Sequence, residues 1–153
     1  MSKFEILQYN THKSKDEVMA TFLRDPEVLQ ASVIAIQEPW KNEYDDTTHQ
    51  PSRLTHQLLY VRAIDGEVYD LYIHNIYNEP KLPTFDLLNR ELLRIGRSWT
   101  IGHLILGDMN VHHPAWGGPG TKIDSEGTYL LEIMDRHKLE LTTEEGIITW
   151  ERG

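Results

Sequence analysis

The stretch Leu104-Ile105-Leu106-Gly107-Asp108-Met109-Asn110-Val111-His112-His113-Pro114-Ala115-Trp116-Gly117-Gly118 decides how the chain is read. It opens with consecutive apolar residues, the mark of a short strand covered on both faces. A carboxylate and a carboxamide two residues apart follow at once, then a tandem histidine pair at the mouth of a Gly/Pro-rich loop over 114–121. Ligand sites in sheet-based α/β proteins gather where loops leave the strand ends. Asp108 and Asn110 stand at such an exit.

The same arrangement recurs upstream. Asn10 follows the apolar strand Phe4–Tyr9, Glu38 follows Val33–Gln37, and Tyr77 follows Tyr72–Ile76. Taken singly, Asn10 and Asp108 read as turn residues and Tyr77 as core. Four such exits, with residue types that bind metal or phosphate, point to one cluster. Between them, Leu58–Ile64 and Val68–Ile76 flank Asp65-Gly66, a hairpin signal. Residues 41–56 read as a polar loop.

Helices are expected at 14–24, 84–97 and 125–137. The first opens with the capping box Ser14-x-x-Glu17, carries Val18, Phe22 and Leu23 inward, and ends near Pro26. The second sets Phe85, Leu88, Leu92 and Ile95 on one side and Arg90, Arg94 and Arg97 on a solvated one. The third repeats Leu130, Ile133, Met134 and His137 at helical spacing. Leu139–Leu141 and Ile147–Trp150 read as short strands. His49, His56, His74 and His103 read as surface or satisfied core residues. Interleaved strands and helices with a central hairpin give an α/β fold with mixed sheets.

At 153 residues the chain fits a single domain over 1–153. With 39% hydrophobic and 25% charged residues it is too apolar for disorder. The lack of cysteine excludes disulfides, thiolate zinc sites and cysteine nucleophiles. No run approaches the roughly 18 apolar residues of a membrane span, and no secretory leader follows Met1, so an intracellular setting, the nucleus included, is expected. The net charge of −9, from 24 acidic and 15 basic residues, opposes strong sequence-independent binding to nucleic acid. It suits a site that gathers a divalent cation.

Gln37-Glu38-Pro39-Trp40, Asn75-Ile76-Tyr77-Asn78-Glu79-Pro80 and Gly107-Asp108-Met109-Asn110 occur in that order. His112-His113-Pro114-Ala115-Trp116-Gly117, Gly127-x-x-Leu130, Leu139-x-Leu141-Thr142, Gly146 and Thr149-Trp150 extend the pattern. On these motifs the chain resembles the endonuclease/exonuclease/phosphatase family, and within it the endonuclease domains of non-LTR retrotransposons. The resemblance implies a layered α/β sandwich and Mg²⁺- or Mn²⁺-dependent cleavage of phosphodiesters in DNA. It implies that Glu38 holds the metal, and that Asn10 helps to hold it or its water and contacts substrate. Asp108 would orient and help to deprotonate the attacking water, while Asn110 and Tyr77 bond the non-bridging phosphate oxygens. His112 and His113 would sit in a loop beside the site, in a structural or substrate-contact role. Adjacent residues rarely converge on one ion, so metal ligation by the pair is not expected.

Two departures stand out. The stretch from Trp40 to Ile76 is shorter than in relatives, and Gly153 comes before the Ser-x-Ile-Asp and Ser-Asp-His motifs with which they continue. The resemblance therefore implies an incomplete, catalytically impaired domain with an open sheet edge prone to self-association. A catalytically inactive relic serving as a binding or interaction module is the alternative. A small-molecule phosphoesterase is a third reading, disfavoured by the His-His-Pro-x-Trp-Gly segment.

Overall fold

The computed structural model describes residues 4–11, 16–37, 56–65, 67–79, 81–143 and Gly146. Two sheets are joined by side-chain bonds. Strands β1 (Ile6–Asn10) and β2 (Val33–Gln37) pair in parallel, with Ile6 opposite Val33 and Asn10 opposite Gln37. Strands β3 (His56–Asp65), β4 (Glu67–Tyr77) and β5 (Ile101–Asp108) form the second sheet in the order β3-β4-β5. There β3 and β4 are antiparallel, and β4 and β5 are parallel. The expected mixed α/β sandwich is thus present.

Parallel neighbours need a crossover, and helices supply it. Helices α1 (Asp16–Phe22) and α2 (Pro26–Gln30) connect β1 to β2, and α3 (Thr84–Ile95) connects β4 to β5. Within the hairpin Arg62 lies directly opposite Asp70 and bonds it at 2.9 Å, which helps to pin the register. Beyond β5 come α4 (Pro114–Gly117) and α5 (Ser125–His137).

The apolar core lies between α3, α5 and the second sheet. Phe85, Leu88 and Leu92 of α3 meet Leu130 and Ile133 of α5 over Ile76 of β4. Leu88, Ile76 and Ile133 are wholly inaccessible to solvent. Burying such side chains contributes roughly 1.5–3 kcal/mol each. Successive strand residues face opposite ways, so Asn75, next to Ile76, turns to the first sheet. Its Nδ2 donates to the Ile36 carbonyl at 3.1 Å. One face of β4 is therefore apolar core and the other is the junction with β1 and β2.

Three histidines are built into the fold around this core. His74 is fully buried, and its Nε2 lies 3.1 Å from Nδ1 of His103. Nε2 of His103 lies 2.9 Å from the Gly96 carbonyl, which can only accept. A neutral His103 therefore carries its proton on Nε2 and accepts from His74 at Nδ1. His137 bonds Asn89 Oδ1 at 2.9 Å and ties α5 to α3.

Several expectations need correction. The first helix stops at Phe22, and a second opens at Pro26, where Asp25 accepts a bond from the Glu27 N–H. Pro26 begins a helix instead of only ending one, because proline suits the first helical turn. With the helix this short, Val18 and Leu23 are 41% and 45% exposed, while Phe22 stacks on Tyr9 at 4.4 Å. The loop over 114–121 contains α4. Leu139–Leu141 is not a strand: Lys138 turns left-handed (φ 53°) to cap α5, and Leu139 N–H bonds back to Met134. The loop expected over 41–56 runs one residue too far, since His56 already opens β3; its remaining residues, Ser14 of the capping box, Gly66 and Ile147–Trp150 lie outside the described residues. The helix expected at 84–97 ends at Ile95 with Gly96 as its cap, so Arg90 and Arg94 are exposed on its solvated face while Arg97, also exposed, lies beyond it. Among the described residues no helix is long and apolar enough to cross a membrane.

Burial holds His137 below the ordinary histidine pKa, and the positive charges of Arg136 and Arg97 add to the effect. In the unfolded chain the ring takes a proton near pH 6.5; in the fold it resists. Its stabilising contribution is therefore present above about pH 6.5 and lost as pH falls below it, where the unfolded state binds more protons. The urea midpoint should drop between about pH 7.5 and 5.5, and His137→Gln should flatten that slope. An unchanged slope in the variant would remove His137 from the account.

Candidate active site at the strand ends

Strands β1, β2, β4 and β5 all stop at the same end of the sandwich. Asn10 pairs with Gln37 at the end of one sheet, and Tyr77 with Asp108 at the end of the other. Asn10 Nδ2 donates to Asp108 Oδ2 at 3.1 Å and joins the two ends across 98 residues of chain. Asn10, Tyr77 and Asp108 are the last residues of their strands, one position earlier than the loop exits the sequence implied. Strand positions hold side chains more rigidly than loops.

Asp108 accepts a second bond at Oδ1, from the Asn110 N–H at 3.2 Å. Both carboxylate oxygens are thus oriented, and each keeps acceptor capacity. Asn110 adopts a left-handed backbone (φ 48°), which asparagine tolerates better than most residues. Its Nδ2 donates to the Asn78 carbonyl at 2.9 Å. Asn10, Asp108 and Asn110 therefore come together, and Tyr77 stands in register beside Asp108 on the neighbouring strand. Glu38 lies outside the described residues. Among those described, no three His, Asp or Glu side chains form a cluster able to hold a metal ion.

Gly107 makes the bend before Asp108 possible. Its φ is 137°, and a Cβ there would meet the Ile76 carbonyl oxygen at 1.9 Å. Its N–H turns to Gln8 Oε1 at 3.1 Å, a second link between the sheets. A third link is the hydrogen bond from Gln37 Nε2 to Asn75 Oδ1.

The histidine pair splits between two partners. His113 caps α4, and its Nδ1 accepts from the Ala115 N–H at 3.1 Å while the ring tilts against Trp116. The His112 side chain is 73% exposed, with Nδ1 3.3 Å from Asp124 Oδ2. Asp124 also takes the His112 N–H at 2.8 Å and caps α5 through the Gly127 N–H. Burial alone would raise the Asp124 pKa; bonds from Gly127 and His112 outweigh it and hold it below the usual carboxylate range. A Cβ at Gly127 would meet the His112 carbonyl at 2.5 Å, so that glycine lets the loop sit against α5.

Reading the sequence missed Gln8, Asn75, Asn78, Asp124 and Glu126. The first two sit inside strands at i−2 from Asn10 and Tyr77, and this alternation was the available signal. Asp124 ahead of Ser125-Glu126 was legible as an N-cap. Nothing local marks the bond from Asn78 Nδ2 to Glu126 Oε2, which spans 48 residues at 2.9 Å.

The fold is similar to that of the endonuclease domain of TRAS1, a telomere-specific non-LTR retrotransposon, with a TM-score of 0.70. The match covers 97% of this chain and 77% of that one at 17% sequence identity. The model of the endonuclease–reverse transcriptase family matches residues 71–153, so the chain belongs to that family. The matched segment takes in Tyr77, Asp108, Asn110, His112 and His113. No curated protein matches the chain in sequence.

Gly107→Ala should destabilise the fold by roughly 1–3 kcal/mol, the usual cost of forcing extra atoms into a packed site. Denaturant unfolding measures it; a cost under about 0.5 kcal/mol, the range of an ordinary surface substitution, would mean the β4–β5 ends relax freely.

Proposed function

We propose that the chain is a metal-dependent endonuclease that hydrolyses a DNA phosphodiester at Asp108. The Asn10–Asp108 bond carries this reading, because it sets a carboxylate and carboxamides together where four strands end. Resemblance to retrotransposon endonucleases supports the choice of substrate.

The donor set fits a hard divalent cation, Mg²⁺ or Mn²⁺. Such ions take oxygen ligands and need only one or two carboxylates. Beside Asn10 and Asp108, the buried Oε1 of Gln37 has no hydrogen-bond partner among the described residues. Glu38, next along the chain, and Asn10 would hold the ion. Bound there, it would neutralise charge growing on the phosphate and make water more acidic.

The chain's own residues do the rest. Asp108, fixed by Asn10 and the Asn110 N–H, accepts a proton from the attacking water. Asn110 and Tyr77 donate to non-bridging oxygens, where charge grows as the fifth oxygen bond forms. His113, accepting at Nδ1, offers its Nε2–H in the neutral state, and exposed His112 stands beside it; both contact the substrate strand. With a net charge of −9, grip on DNA comes from this local set more than from a basic surface.

Nicking of supercoiled plasmid should require Mg²⁺, stop in EDTA, and fall about 10²–10⁴-fold in Asp108→Ala. Nicking that survives both would reject the reading. Mg²⁺ at about 100 times its dissociation constant should also stabilise the fold by about 2.7 kcal/mol. Glu38→Gln should lose that gain; a full gain in the variant would remove Glu38 as a ligand.

A further inference from the structure

We propose that Glu126, acting through Asn78, is a positioning residue for Asp108 and Asn110; only its catalytic consequence rests on the endonuclease reading. Asn78 follows β4 directly and is 1% exposed. Its backbone serves both members of the pair. The Asn78 N–H donates to the Asp108 carbonyl at 2.9 Å, and the Asn78 carbonyl accepts from Asn110 Nδ2 at 2.9 Å. Asn110 sits in a left-handed conformation that few side chains favour, and these bonds help to hold it there.

The Asn78 side chain is anchored elsewhere. Its Nδ2 donates to Glu126 Oε2, in the first turn of α5. A carboxylate only accepts, so it fixes which way the carboxamide points. Asn78 Oδ1 is then left buried with no hydrogen-bond partner among the described residues. An unmatched buried acceptor costs free energy and calls for an explanation. Orientation of the backbone that holds Asn110 supplies one. The helix N-terminus favours a carboxylate at Glu126, and α5 is braced by Leu130 and Ile133 in the core. The path runs from a rigid helix through Glu126 and Asn78 to the carboxamide that faces substrate.

The test is the side-chain NH₂ signal of Asn110 in ¹⁵N–¹H spectra, identified by its loss in Asn110→Asp. Glu126→Ala should shift it and draw its two proton frequencies toward those of a free carboxamide. Glu126→Gln keeps an acceptor oxygen and should restore it. Asn78→Ala keeps both backbone bonds but cuts the side-chain link; it should repeat the shift and serves if Glu126→Ala fails to fold. In plasmid nicking, Glu126→Ala should lower kcat roughly 10–100-fold with KM unchanged, the scale of a small misplacement, and Glu126→Gln should recover it. An Asn110 signal unmoved by loss of the link, or moved equally by Gln and Ala, overturns the proposal. A signal that moves as expected in a wild-type protein that nicks no DNA upholds the positioning and rejects the endonuclease reading instead.

Discussion

Side-chain amides join the two sheets at the end where β1, β2, β4 and β5 stop. Gln8 accepts from Gly107, Asn10 donates to Asp108, Gln37 donates to Asn75, and Asn75 donates to the Ile36 carbonyl. A sandwich usually closes with interdigitated apolar side chains. Here hydrogen bonds stand beside the buried Ile73 and Ala35; each bond is worth only about 0.5–1.5 kcal/mol net and is costly if broken singly. Their value lies in direction. A strand slipped by one residue would turn every amide to the wrong face, so the network admits one register.

This junction can be polar because stability comes from behind it. The other face of β4 packs Ile76 against α3 and α5, where Leu88, Leu92 and Ile133 are almost wholly buried. Helix α5 also braces the loop that leaves β5. Asp124 caps α5 and holds the His112 backbone, and Glu126, in the first turn, holds Asn78. Strand ends fix Asn10, Tyr77 and Asp108, while the start of α5 fixes the segment from Asn110 to His112. A group preorganised in this way need not rearrange when charge develops beside it.

Much of this was legible in the sequence, for identifiable reasons. Helix α5 matched from Ser125 to His137 because its apolar residues repeat at helical spacing and Lys138 and Asp124 close its ends. Asn10, Tyr77, Asp108 and Asn110 stood out because each ends or comes just after a short apolar run. The α1–α2 break was misread because Pro26 marks a helix start as well as an end. The pairing of Asn78 with Glu126, and of Gln8 with Gly107, joins residues far apart in the chain, and no local pattern carries it. His112 and His113 read as structural or substrate-contact residues; their bonds to Asp124 and Ala115 give the structural half of that reading a geometry.

The central claim is that Asn10 and Asp108 act as one coupled unit across the two sheets. A double-mutant cycle on unfolding free energy, with Asn10→Ala, Asp108→Ala and both together, tests it most directly. Residues in direct contact typically show coupling of about 0.5–3 kcal/mol. Such a value for this pair is the result the account predicts. Costs that simply add, within roughly 0.3–0.5 kcal/mol, would contradict it.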